Sequence, residues 1–156
     1  MVAINVRRRL KCDRGSQLVE FALIFPLLLL VVMGVVDFGL MFQRYEVLTN
    51  AAREGARVAA LPDYGSADVT ARVNQYLTGT GITATTTYLT PTAVNVGGTP
   101  ATCITLTGAT VTYDYQFIGL GRLIQIVMRG STNPLTTKTL TATARMRYEG
   151  PAGTCS

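Results

Sequence analysis

Residues 7–26 read RRRLKCDRGSQLVEFALIFP: four arginines and one lysine lead up to a Gly-Ser step, and a lone carboxylate, Glu20, heads an apolar run. From Phe21 to Val36 sixteen uncharged residues follow, FALIFPLLLLVVMGVV, then Asp37 and a second apolar stretch, FGLMF. As helix, the sixteen-residue run spans roughly 24 Å, short of a ~30 Å hydrocarbon core unless Leu18 and Val19, or the FGLMF stretch, are included. Either extension brings Glu20 or Asp37 to the bilayer boundary. A carboxylate is expensive there without a partner, so the surroundings of these two residues decide what the segment is for.

The charge distribution supplies an orientation. Residues 1–15 hold five of the fourteen Lys and Arg against one acid, Asp13, whereas residues 16–156 hold nine bases and eight acids. The basic character therefore belongs to the N-terminal tip, which reads as a membrane-orientation signal and not as a nucleic-acid surface. Basic flanks stay cytoplasmic, so the tip lies inside and the chain after about residue 42 lies outside. No small-residue cleavage site follows the apolar run, so the segment is expected to stay attached as a single-pass anchor. Asp37 then either marks the outer end of the hydrocarbon zone, facing water, or makes a contact inside it with another helix or with assembly machinery.

The composition argues against catalysis. Histidine is absent from the sequence, which removes the commonest general base and metal ligand. No Cys-x-x-Cys, phosphate-binding glycine loop or paired carboxylates stand out either. The expectation is a protein that is not an enzyme, with no catalytic residues, metal, cofactor, small-molecule substrate or nucleic-acid partner. Of the three cysteines, Cys12 falls in the basic tip and Cys103 and Cys155 in the C-terminal half. With a membrane between them, Cys12 stays in a reducing compartment and Cys103 and Cys155 are free to pair in an oxidising one.

Helix-favouring sequence continues past the membrane to Pro62, predicting one helix from Ser16 to Leu61, roughly 69 Å long. Its outer half must pack on something. Val47, Leu48, Ala51, Ala52, Gly55, Ala56, Ala59 and Ala60 recur at three- and four-residue spacing. That stripe reads as a core contact, with a subunit-facing surface as its other use. Residues 67–78 predict a second helix with Val69, Val73, Tyr76 and Leu77 on one face, Ser66 as N-cap and Gly79 or Gly81 ending it.

The character then changes. ITATTTYL (82–89), TCITLTG (102–108), ATVTYDYQF (109–117) and KTLTATARMRY (138–148) alternate apolar and Thr-rich positions, as strands of a small antiparallel sheet do. Gly97, Gly98 and Gly108 punctuate them. The apolar stretch FIGLGRLIQIVMRG (117–130) reads as core or neighbour packing in preference to membrane contact. The fold class is thus α+β: a long N-terminal helix, transmembrane in its first half, packed with a second short helix against a small sheet. Three regions follow: residues 1–15 as a basic cytoplasmic leader, 16–42 as a transmembrane helix, and 43–156 as an α+β domain.

RGSQLVEFALIFPLLLLVVMGVVDFG (14–39), with its glycine followed five residues later by glutamate, its Pro26 and its Asp37, and AAREGARVAA (51–60) together resemble the TadE-like family. TARMRYE (143–149) adds weaker support. These are pseudopilins or minor pilins of tight adherence (Tad, or Flp) pilus systems, a branch of the type IV pilin superfamily. The resemblance implies a pilin-like fold, a place in the bacterial inner membrane with the C-terminal domain in the periplasm, and incorporation into an extracellular pilus as a further option. It also implies cleavage of the leader by a prepilin peptidase between Gly15 and Ser16. Glu20 becomes the fifth mature residue, paired with the new N-terminal amine of an adjacent subunit. The implied partners are that peptidase, other pilin or pseudopilin subunits and the assembly machinery. The competing expectations are a simple anchored periplasmic binding or scaffold protein, and a pseudopilin of a type II secretion system.

Overall fold

A computed structural model describes residues 13–98, 103–119, 121 and 137–151. Helix α1 runs Asp13–Ala59, 47 residues, and α2 runs Ser66–Leu77. Three strands follow, β1 (Thr85–Asn95), β2 (Cys103–Gln116) and β3 (Thr137–Arg147), in one antiparallel sheet ordered β1-β2-β3. This is the expected α+β architecture, with one long helix, one short helix and a small antiparallel sheet.

Helix α1 leads two lives. Leu18, Leu23, Leu27 and Val35 are each more than half exposed, whereas Leu48, Ala51, Ala52, Ala56 and Ala59 are wholly buried. The change follows the residue types. Large aliphatic side chains surround the N-terminal half of the helix, and one stripe of small residues marks the C-terminal half. That stripe lies in the core of this chain itself, against α2 and the sheet. Small residues are needed because three elements converge there. A Cβ added at Gly55 would stand 2.8 Å from Val73 Cγ2 and 2.9 Å from Ala109 Cβ. Gly55→Ala is therefore expected to lower the stability of the folded domain by about 1–3 kcal/mol, through overpacking. A chemical denaturation midpoint equal to that of the wild type would refute this.

Helix α2 buries Val69, Val73 and Leu77 as its spacing predicts, but Tyr76 stays 39% exposed and does not share their face. Its expected N-cap also shifts by one residue. Ser66 is the first helical residue, and the Asp68 carboxylate accepts the main-chain N–H of Gly65 at 2.9 Å. After Leu77 the chain turns through Gly79 and Gly81, both at positive φ, a conformation that favours glycine. Arg72 on α2 donates to the Glu54 carboxylate on α1 at 2.8 Å. The hydrogen bond from Arg72 holds the Glu54 carboxyl below its ordinary pKa.

The sheet departs from the sequence reading at Gly108. TCITLTG and ATVTYDYQF are one strand, β2, which passes through Gly108 without a turn. The residue is glycine because a Cβ there would overlap the main-chain carbonyl of Ala144 on β3. Backbone crowding, and not a chain reversal, explains it. On β1 the register shifts between Leu89 and Thr92, so Thr90 and Pro91 together oppose the single residue Thr107. A bulge on an edge strand is where a proline without a ladder donor can sit. Thr105, Thr107, Ala109, Val111 and Tyr115 of β2 face the helices and are buried. The alternate residues form a threonine-rich outer face on which Thr110 and Thr143 are hydrogen-bonded at 3.0 Å. Thr-rich alternation is thus ordered sheet.

Candidate functional site

The site begins with the free half of α1. Gly15, Ser16 and Glu20 lie within the helix with their surroundings open, and nothing stands within 4 Å of where a Cβ on Gly15 would be. Glu20 is exposed and makes no hydrogen bond or ion pair among the described residues. Pro26 sits inside the helix, which continues through it. Helices tolerate such an interruption in a membrane, where neighbouring groups can re-satisfy the carbonyl that proline frees. By length and composition α1 is able to cross a membrane, and no part of its most apolar window is covered by the folded domain.

Further along, Gly34 and Gly39 carry no side chain to fill the space between Leu30, Val31, Val35, Phe38 and Phe42. The result is an open groove of about 660 Å3 on the helix surface, almost without polar lining. Small residues at such positions let another helix approach closely.

Asp37 is the residue whose surroundings the sequence leaves open, and it is buried against the end of β2. Its side chain is 2% exposed. The main-chain N–H of Gly119 donates to Asp37 Oδ2 at 3.0 Å and to Oδ1 at 3.3 Å, and the N–H of Ile118 donates to Oδ1 at 3.3 Å. The Tyr115 hydroxyl donates to the Asp37 carbonyl at 3.1 Å. Burial, and then the nearby Asp37 charge, push the Tyr115 hydroxyl above its ordinary pKa. Phe117 completes the contact, edge-on to Phe38 at 6.0 Å and to Tyr115 at 5.3 Å. Asp37 therefore fastens the end of β2 to the middle of α1. The folded domain reaches down the helix past residue 43 as far as Met33, whose Sδ would lie 2.9 Å from a Cβ on Gly119.

The sequence reading missed this latch, since the donors to the carboxylate among the described residues are main-chain groups that carry no side-chain signature. The stretch 117–130 is described only at residues 117–119 and 121, so most of that expectation lies outside the described residues. Cys103 is disulfide-bonded. Cys155, its expected partner, lies outside the described residues, as do Cys12 and the rest of the basic tip before Asp13.

No curated protein and no solved structure matches the chain significantly. The open N-terminal half of α1, with Glu20, Pro26 and Asp37 along it, and the small-residue stripe that follows form one continuous unit. That unit, residues 15–57, matches the family model described as TadE-like protein, the family that the motifs on this helix resemble.

Proposed function

We propose that this chain is a pseudopilin or minor pilin of a tight adherence pilus system, anchored in the bacterial inner membrane with residues 43–156 in the periplasm. A prepilin peptidase cuts between Gly15 and Ser16, discarding the basic leader, and the mature helix assembles with other subunits through its exposed half. The observation that carries this reading is division of labour along α1. From Leu48 onward one stripe of the helix is spent on the chain's own core, whereas the helix before Met33 is apolar, uncovered by the described part of the domain and marked by a carboxylate, Glu20, without a partner among the described residues. A simple anchor gains nothing from Glu20. A carboxylate near the membrane is costly alone, and the amine freed at Ser16 of a neighbour is a partner of opposite charge at similar depth. Such a pair sets register between subunits more than it adds net stability. Disulfide pairing of Cys103 with Cys155 belongs to the same reading, because both lie on the oxidising side of the membrane.

Intact-mass measurement on protein co-expressed with a prepilin peptidase tests the cleavage. Gly15→Trp is expected to leave full-length precursor, while Glu20→Ala yields a mature chain that begins at Ser16. Assembly of the Glu20→Ala chain into crosslinkable subunit contacts should fall at least ~tenfold, because an uncompensated buried charge costs ~3 kcal/mol or more. A wild-type chain that begins anywhere other than Ser16 sinks the cleavage. Unchanged assembly of Glu20→Ala favours the simple anchor.

A further inference from the structure

The depth of the latch in the membrane follows from the length of helix before it. Residues 16–32, the part of α1 before the contact at Met33, number 17 and span only ~26 Å. A hydrocarbon core of ~30 Å extends the membrane about one further turn along the helix, to the level of residue 36. Measured from Arg14, as in an uncleaved chain, the boundary still falls at ~34. Tilting the helix moves the boundary further along it. On every count the turn at Ile118 and Gly119, which touches Met33 and Asp37, lies at the edge of the hydrocarbon.

The residues at that level suit such a position. Ile118 is 65% exposed, Phe42 62% and Phe38 46%, so large apolar side chains point outward from both the helix and the turn. The N–H groups of Ile118 and Gly119, which lipid cannot satisfy, are taken by the Asp37 carboxylate. Irregular backbone is tolerated at membrane depth only where its polar groups have partners. Accepting these donors also gives Asp37 its reason to be there.

We infer that the Phe117–Gly119 turn is a membrane-surface contact. Through Ile118, Phe38 and Phe42 the folded domain rests on the lipid of the outer leaflet, and Asp37 supplies the acceptors that its turn would otherwise seek in water. This replaces, for residue 118, the core or neighbour packing that the apolar stretch suggests, and it rests on the reading that α1 spans the bilayer. The seating restricts how the domain can lean relative to its helix. It also keeps the upper end of the glycine groove at the level of the headgroups.

The sequence contains no tryptophan, so a single introduced tryptophan reports its own surroundings. Full-length Ile118→Trp, Leu28→Trp and Tyr64→Trp chains are reconstituted into phosphatidylcholine vesicles that carry bromines either near the headgroup or near the chain end. Ile118→Trp is expected to lose most of its emission to shallow bromines and Leu28→Trp to deep ones. Tyr64→Trp, in the turn that follows the end of α1 at Ala59, itself ~33 Å up the axis from Asp37, should respond to neither. Ile118→Trp emission that ignores both lipids overturns the inference. Quenching by aqueous acrylamide would then mean an open turn, and protection from it a second copy covering the turn. Failure of Leu28→Trp to respond to deep bromines sinks the spanning helix instead. In an Asp37→Ala background the Ile118→Trp signal should shift from lipid to water. An unchanged signal there overturns the role given to the carboxylate.

Discussion

Asp37→Ala is expected to destabilise the folded domain by about 2–4 kcal/mol, since two part-buried N–H donors lose their acceptor at ~1–3 kcal/mol each. The Ile118 and Gly119 donors point at a carboxylate that is 2% exposed, so water has little access to replace it. The loss should be confined to the domain. Helix α1 before Met33 is largely uncovered by the described part of the domain and does not depend on the latch for its helical structure. In detergent micelles the near-ultraviolet dichroism of the tyrosines should therefore melt roughly 10 °C or more below wild type. Most of the far-ultraviolet helical signal should persist through that transition. Asp37→Asn keeps one acceptor oxygen and a similar shape, and its midpoint should fall between the two. If Asp37→Ala melts with wild type, the carboxylate is not what holds the end of β2 to the helix.

Gly108→Val should prevent the domain from folding. Gly108 is in the central strand, paired to Leu89 on one side and Arg145 on the other. Any Cβ there meets the carbonyl of Ala144, which is ladder backbone and cannot rotate away as a side-chain tip could. Relief requires parting β2 from β3, which also uncovers Val111, Leu140 and Ala142 from the core. The expected cost exceeds ~4 kcal/mol, the range reserved for backbone or core disruption. Limited proteolysis of membrane preparations gives the readout. The variant should be cut within the residues that form the sheet, while the apolar part of α1 remains protected by lipid. Gly108→Ala should show the same defect in weaker form. A Gly108→Val domain as protease-resistant as wild type would mean that the two strands can separate there at little cost.

These two positions also show where sequence reading stops. Gly108 was expected to punctuate two strands because glycine between alternating segments is the usual mark of a turn. The same residue type is demanded wherever two backbones come close, and only the register of β3 against β2 distinguishes the uses. Tyr76 sits three residues past Val73, and helical spacing alone puts it on the buried face. The edge of the α2 contact excludes it, because the core ends at Leu77 and Ile82.

Short-range pattern was enough for the long helix, the second helix and the strand-forming character of the C-terminal half. Helical periodicity and two-residue alternation are properties of neighbouring residues. It was also enough for the buried stripe on α1, since small residues at three- and four-residue spacing can only mark close packing. What covers that stripe, whether another subunit or the chain's own sheet, depended on the fold. The place of Asp37 depended on it entirely. A carboxylate between apolar stretches needs hydrogen-bond donors. Among the described residues they are main-chain N–H groups of residues 118 and 119, about eighty positions away, a group which every residue but proline possesses. Nothing in the letters at those positions announces such a partner, so the latch exists only once the sheet has brought the end of β2 against the helix.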